Sequence, residues 1–241
     1  MINRVSLFLP CLADMFVPRI GFDTIKILKR AGIKVEYPKG QTCCGQPAFN
    51  QGFHGAAREM ARHFIRTFDR SSTVVCPSGS CVLMVREHYP ELFEDEPVWR
   101  KRAENLGART FELTDFLVNE IEVIDLDANF SGRVTVHDSC HPLRGLGLTK
   151  EPRILLNQVE GLELVEMMNP DRCCGFGGVF MARFGKLSSV LAHKKIEFAL
   201  ASGADTMVIT EPGCLINLNS ALEPLETNLK AVHIPEVLAG K

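Results

Sequence analysis

Cys-Cys-Gly occurs twice in the chain, at Cys43-Cys44-Gly45 and Cys173-Cys174-Gly175, and the cysteines around it repeat as well. Cys11 lies 32 positions before Cys43, and Cys140 lies 33 positions before Cys173. Downstream, Cys81 follows Cys44 by 37 positions and Cys214 follows Cys174 by 40. Chance triplets would not carry matched neighbours on both sides, so the sequence is an internal duplication. The fold question is then a question about one repeat. The split is uneven. The first half has Cys11, Cys43, Cys44, Cys76 and Cys81. The second has only Cys140, Cys173, Cys174 and Cys214, with Thr210-Glu211 where a fifth thiol would stand.

Each half opens with a β-rich run that ends near its first cysteine, at residues 5–9 and 134–137. In the first half a helix follows from Pro18, since proline suits a first helical turn. Ile20, Thr24, Ile27, Leu28 and Ala31 form one face, and Gly32 provides the stop. A strand over 33–37 leads to the cysteine pair. The next helix carries an apolar stripe of Ala57, Met60, Ala61, Phe64, Ile65 and Phe68. Its counterpart stripe is Leu187, Val190, Leu191, Phe198 and Ala201. Third strands are expected at 72–75 and 206–209. This is an α/β fold of two tandem, pseudo-symmetric Rossmann-like βαβαβ repeats with parallel sheets. The expected boundaries are 1–92 for the first repeat, 93–130 for a charged helical connector and 131–241 for the second repeat. Ligands of such sheets sit beyond the carboxyl ends of the strands, and the repeated cysteines fall there.

The chemistry follows from the thiols. A chain of 241 residues, 46% of them hydrophobic, buries enough core to need no disulfides. The apolar stretch near the N-terminus is too short for a signal peptide, and nothing approaches the roughly 20 apolar residues of a membrane span. The expectation is a cytoplasmic protein with reduced cysteines. Net charge is −2, which offers no footprint for nucleic acid. Soft thiolates select iron–sulfur clusters, zinc or copper(I). Structural zinc takes cysteines about two to four residues apart from tight knuckles, and Cys76 and Cys81 stand wider than that. The reading is an iron–sulfur cluster in at least one half, with zinc in one half as the alternative. A merely buried thiol remains the alternative for Cys76.

Gly45, Gly79, Gly175, Gly177, Gly178 and Gly213 flank the thiols and let the backbone approach a cluster closely. Gly175-Phe176-Gly177-Gly178 lacks the third glycine of a dinucleotide fingerprint. His141, Arg144 and Glu211 are candidate proton-transfer or charge-neutralising groups, set against ordinary capping or surface roles. Arg153 is weighed in the same way.

This pattern, a cysteine, about 31 residues, Cys-Cys-Gly, then about 31 more to a further cysteine pair, resembles the cysteine-rich CCG domain family. That domain occurs twice in a subunit of heterodisulfide reductase, and in iron–sulfur subunits of glycolate oxidase and anaerobic glycerol-3-phosphate dehydrogenase. A stand-alone pair with Phe8-Leu9-Pro10-Cys11, Thr42 to Asn50, Cys173 to Gly178 and Pro212 to Leu215 looks most like the lactate-utilization branch. The resemblance implies a component of a cytoplasmic complex, with iron–sulfur or flavin protein partners, that oxidises the small 2-hydroxy acid L-lactate to pyruvate. It implies [4Fe–4S] clusters, with all nine cysteines as ligands and a non-cubane cluster on the five of the first half. Zinc replaces the cluster in one domain of some relatives. The first half departs from the full motif by its Cys-x4-Cys spacing, and the second lacks one cysteine. The alternatives are a thiol–disulfide redox subunit, a glycolate or glycerol-3-phosphate oxidase subunit, and a zinc-stabilised scaffold without redox chemistry.

Overall fold

Short runs of buried aliphatic residues build two sheets in the computed structural model, which describes residues 2–240. The chain divides into two units, Met1–Ile121 and Glu122–Lys241. In the first, β1 (Arg4–Leu7), β2 (Lys34–Glu36), β3 (Val74–Cys76) and β4 (Thr110–Glu112) lie side by side in the order β2-β1-β3-β4. In the second, β5 (Asn129–His137), β6 (Glu160–Leu164), β7 (Thr206–Ile209) and β8 (Lys230–His233) follow the order β6-β5-β7-β8. All six strand pairings are parallel. Val74, Val75 and Cys76 are all buried, as are Thr206 to Ile209, because helices cover both faces of a parallel sheet. The α/β duplication therefore holds in three dimensions, strand for strand.

Strand order reverses between β1 and β3, and again between β5 and β7. The carboxyl ends at such a reversal are the usual place for a ligand in these sheets. The first unit's core is aromatic. Phe8 and Phe64 meet edge to face with centroids 4.6 Å apart, and Phe64 meets Tyr89 at 5.7 Å.

Three sequence expectations change. Each sheet has four strands rather than three. Residues 93–130 do not form a separate connector. The helix Pro97–Gly107 leads into β4, whose residues pair with Val74, Val75 and Cys76, so the first unit runs on to Ile121. The helix Gly185–Ala201 turns a different face inward. It buries Ser188, Ala192, Lys195, Ile196 and Ala199. Leu187 and Val190 are 52% and 63% exposed instead. Small side chains are needed there because the backbone at Gly175 lies against Ser188 and Leu191. The helices Arg19–Arg30 and His54–Thr67 bury the expected Ile20, Thr24, Ile27 and Leu28, and Ala57, Ala61, Phe64 and Ile65. Among the described residues no helix is long and apolar enough to cross a membrane.

Candidate metal centres

In the first unit three loops bring five thiols together. Cys11 opens a helix beyond β1, Cys43 and Cys44 follow β2, Cys76 ends β3 and Cys81 lies in the helix Gly79–Leu83. Cys11 and Cys43, and Cys43 and Cys44, are close enough for their thiols to act on one another. Cys44 lies 3.6 Å from Cys81, which in turn bonds to Cys76. The thiols form one continuous chain, and Cys76 belongs to it. Two of the five sulfurs are shifted toward the thiolate form. Hydrogen bonds from Cys11 and Cys44 hold the Cys43 thiol down to about 3. Those from Cys44 and Cys76 lower Cys81 well below the usual thiol value. Cys11 and Cys44 are raised by the same contacts.

The second unit repeats the arrangement with four thiols. Cys140 opens a helix beyond β5, Cys173 and Cys174 follow β6, and Cys214 lies in the helix Pro212–Leu222. The Cys174 and Cys214 sulfurs lie 2.8 Å apart, and the Cys173 thiol acts on Cys174. Burial raises Cys140, with the nearby Cys173 and Glu211 charges adding to it. Thr210 supplies no thiol. Its hydroxyl lies 3.5 Å from the Ser139 hydroxyl.

Both cysteine pairs are held by the same devices. Gly45 and Gly175 adopt φ of +90° and +85°, which turns each loop so that adjacent cysteines face one site. Their N–H groups donate to Cys43 Sγ at 3.5 Å and Cys173 Sγ at 3.3 Å. Each second cysteine also has its carbonyl fixed by a buried side chain. Tyr89 donates to Cys44 and Asn217 to Cys174, both at 2.8 Å. Gly213 is closed by Phe176, whose ring would lie 2.4 Å from an added Cβ. Gly79 is the buried first residue of its helix, and Gly177 and Gly178 form the turn before the helix Val179–Arg183.

Of the polar candidates, His141 Nδ1 lies 3.5 Å from Cys140 Sγ. Arg144 is exposed, but its charge acts on both Cys140 and Cys173. Glu211 is not a surface carboxylate. It is 5% exposed, because the chain turns there from the sheet into the helix Pro212–Leu222. Arg153 is already neutralised, by Asp138 at 2.8 Å and Glu166 at 2.7 Å. Two further polar groups matter: His137, which the sequence places beside a ligand without a role, and Lys195, which it does not single out. His137, at the end of β5, is 1% exposed, and its ring, Cys174 Sγ and Cys214 Sγ offer three donor atoms within 4.8 Å of one another. Lys195 is fully buried, and its Nζ donates to the carbonyls of Asn169 and Pro170 at 2.8 and 2.9 Å. Aligning each half on its first cysteine pairs Phe8 with His137 and would have exposed the first of these. Lys195 sits in a His-Lys-Lys run that reads as a solvated helix face.

The donor set fits a metal centre. All nine cysteines are free thiols, gathered five and four at the carboxyl edge of two sheets, with backbone N–H groups aimed at sulfur. Soft thiolates in this number suit an iron–sulfur cluster or zinc. The fold and site together define the class, and the chain belongs to the cysteine-rich CCG domain family, whose model matches residues 5–86 and 134–219. It is 45% identical over 235 residues to lactate utilization protein A of Halalkalibacterium halodurans, covering 98% of this chain and 96% of that one. It is 43% identical over 238 residues to lactate utilization protein A of Bacillus thuringiensis, covering 99% of each. A hypothetical protein from Helicobacter pylori shares the fold at a TM-score of 0.70 and 9% identity. The match covers 98% of this chain and 48% of that one, so the chain spans about half of that structure.

Proposed function

We propose that the protein is an iron–sulfur redox subunit, in the cytoplasm, of an assembly that oxidises L-lactate to pyruvate. The observation that carries this reading is the continuous chain of five reduced thiols drawn from three loops, in a chain closely similar to proteins named for lactate utilization. Lactate oxidation releases two electrons and two protons, so it needs an electron acceptor. A bound cluster would supply one-electron redox chemistry. The chain's own residues do the rest. Cys11, Cys43, Cys44, Cys76 and Cys81 would hold one centre, and Cys140, Cys173, Cys174 and Cys214 the other. Gly45 and Gly175 donate N–H groups to sulfur, which favours the charged, ligating form. The buried Tyr89 and Asn217 keep the cysteine pairs turned inward. An iron–sulfur or flavin protein is the expected electron partner.

Anaerobic reconstitution of the full chain with ferrous iron and sulfide, followed by dithionite titration under EPR, tests the redox role. A reducible iron–sulfur signal is expected. A protein that binds zinc alone, or that shows no reducible centre, would end the electron-transfer reading. Deleting the gene tests the substrate. Growth on lactate should fail while growth on pyruvate persists, and unimpaired growth on lactate would remove the assignment.

A further inference from the structure

The two halves correspond residue by residue around their cysteine pairs. Gly45 lies against Ala57 and Met60, and Gly175 against Ser188 and Leu191, which sets Phe64 of the first unit in register with Lys195 of the second. Three residues before Cys11 and Cys140 stand Phe8 and His137. In the first unit these positions hold the edge-to-face pair Phe8–Phe64. In the second they hold an imidazole with an ammonium group beside it, close enough for the Lys195 charge to act on His137. The half with four thiols has a polar pair where the half with five has an aromatic one.

A buried histidine is usually satisfied by the backbone. Neither ring nitrogen of His137 completes a well-formed hydrogen bond among the described residues, although the Pro170 carbonyl is near enough to act on the ring. That carbonyl also accepts from the Asp138 N–H and from Lys195. A ligand on a ring nitrogen would complete the pairing of this buried imidazole. His137, Cys174 and Cys214 converge within 4.8 Å, and all three are buried. Imidazole nitrogen and thiolate together suit zinc or an iron–sulfur centre.

Resting on the reading that each unit holds a metal centre, we propose that His137 is a ligand of the second one, its ring nitrogen standing in for the fifth thiolate of the first unit. The second centre then has the donors Cys140, Cys173, Cys174, Cys214 and His137. It carries one thiolate fewer and has the Lys195 ammonium beneath it. Both differences favour the electron-rich state of that centre.

The test uses the full chain with natural or 15N-labelled histidine, loaded anaerobically with ferrous iron and sulfide, or in parallel with zinc. Bound metal is counted by elemental analysis. Nitrogen ligation is read by pulsed EPR of the dithionite-reduced iron form and by X-ray absorption of the zinc form. The expected result is a histidine nitrogen coupling that changes on 15N labelling, is lost in His137→Phe and survives in His141→Ala. His137→Phe installs the first unit's own residue; if it does not fold, His137→Gln and the labelled unmodified chain give the same answer. Metal bound in normal amount with no histidine coupling, or a coupling that survives in His137→Phe, overturns the inference alone. Failure to bind metal at all overturns the metal-centre reading with it.

Discussion

Gly45 and Gly175 occupy matching places in the two units, and alanine at each should have unequal effects. Both have φ near +90°, where an L side chain costs roughly 1–2 kcal/mol, partly offset by about 0.4–1 kcal/mol from a stiffer unfolded chain. At Gly45 the added Cβ meets Met60 Cβ at 3.3 Å and the Ala57 carbonyl at 3.5 Å. Small adjustments absorb that, and Gly45→Ala should cost about 1 kcal/mol. At Gly175 the same atom falls 2.4 Å from the Ser188 carbonyl and 3.1 Å from Leu191 Cβ. The obstacle is helix backbone, so the helix Gly185–Ala201 must shift, which adds roughly 1–3 kcal/mol of overpacking. Gly175→Ala should therefore cost about 3 kcal/mol, a gap of about 2 kcal/mol, or some thirtyfold in the unfolding equilibrium. The assay is urea unfolding of the reduced, metal-free chain by circular dichroism, each variant compared with the transition of its own unit. Equal losses, or a larger loss for Gly45→Ala, would refute the argument from close approach.

Two further predictions concern groups around the sites. Burial pushes the Glu112 carboxyl up to about 7, against hydrogen bonds from Thr114. The folded chain thus holds this proton to higher pH than the unfolded chain. The associated stability, about 3 kcal/mol, is complete below pH 4.5 and is lost as pH rises through about 7. Glu112→Gln should flatten that slope, and urea unfolding at pH 5 and pH 8 checks it; a wild-type minus variant difference independent of pH would contradict it. Tyr89→Phe should cost about 1–2 kcal/mol and lower metal retention in the first unit only, while Asn217→Ala should do so in the second. Metal analysis after gel filtration reads both, and equal effects on the two units would argue against separate clamps.

How much of this was readable beforehand varies by element. The duplication, the central strands and the cysteine loops announce themselves, since parallel strands are continuous apolar runs and the thiols punctuate their ends. β4 does not. Thr110-Phe111-Glu112 is three residues long, and Glu112 is buried only because it caps the following turn through the Thr114 and Asp115 N–H groups. The inner face of the helix Gly185–Ala201 was misread because its contacts demand small side chains and one long buried lysine, a pattern that apolar periodicity cannot signal. Glu211 and Lys195 are charges held inside by neighbours that are distant in sequence, and only the folded chain supplies those neighbours.

The three-loop origin of each thiol set also bears on the order in which the protein is made. Cys11 emerges from the ribosome long before Cys81, and Cys140 long before Cys214. No short stretch of nascent chain holds a complete set, unlike a knuckle of clustered cysteines. The sheet must bring its carboxyl ends together first, and closing such loops is the slow step of parallel β-structure. Metal loading would thereby wait until the unit that supplies a set has folded, and a bound centre would lock the far-apart segments that made it.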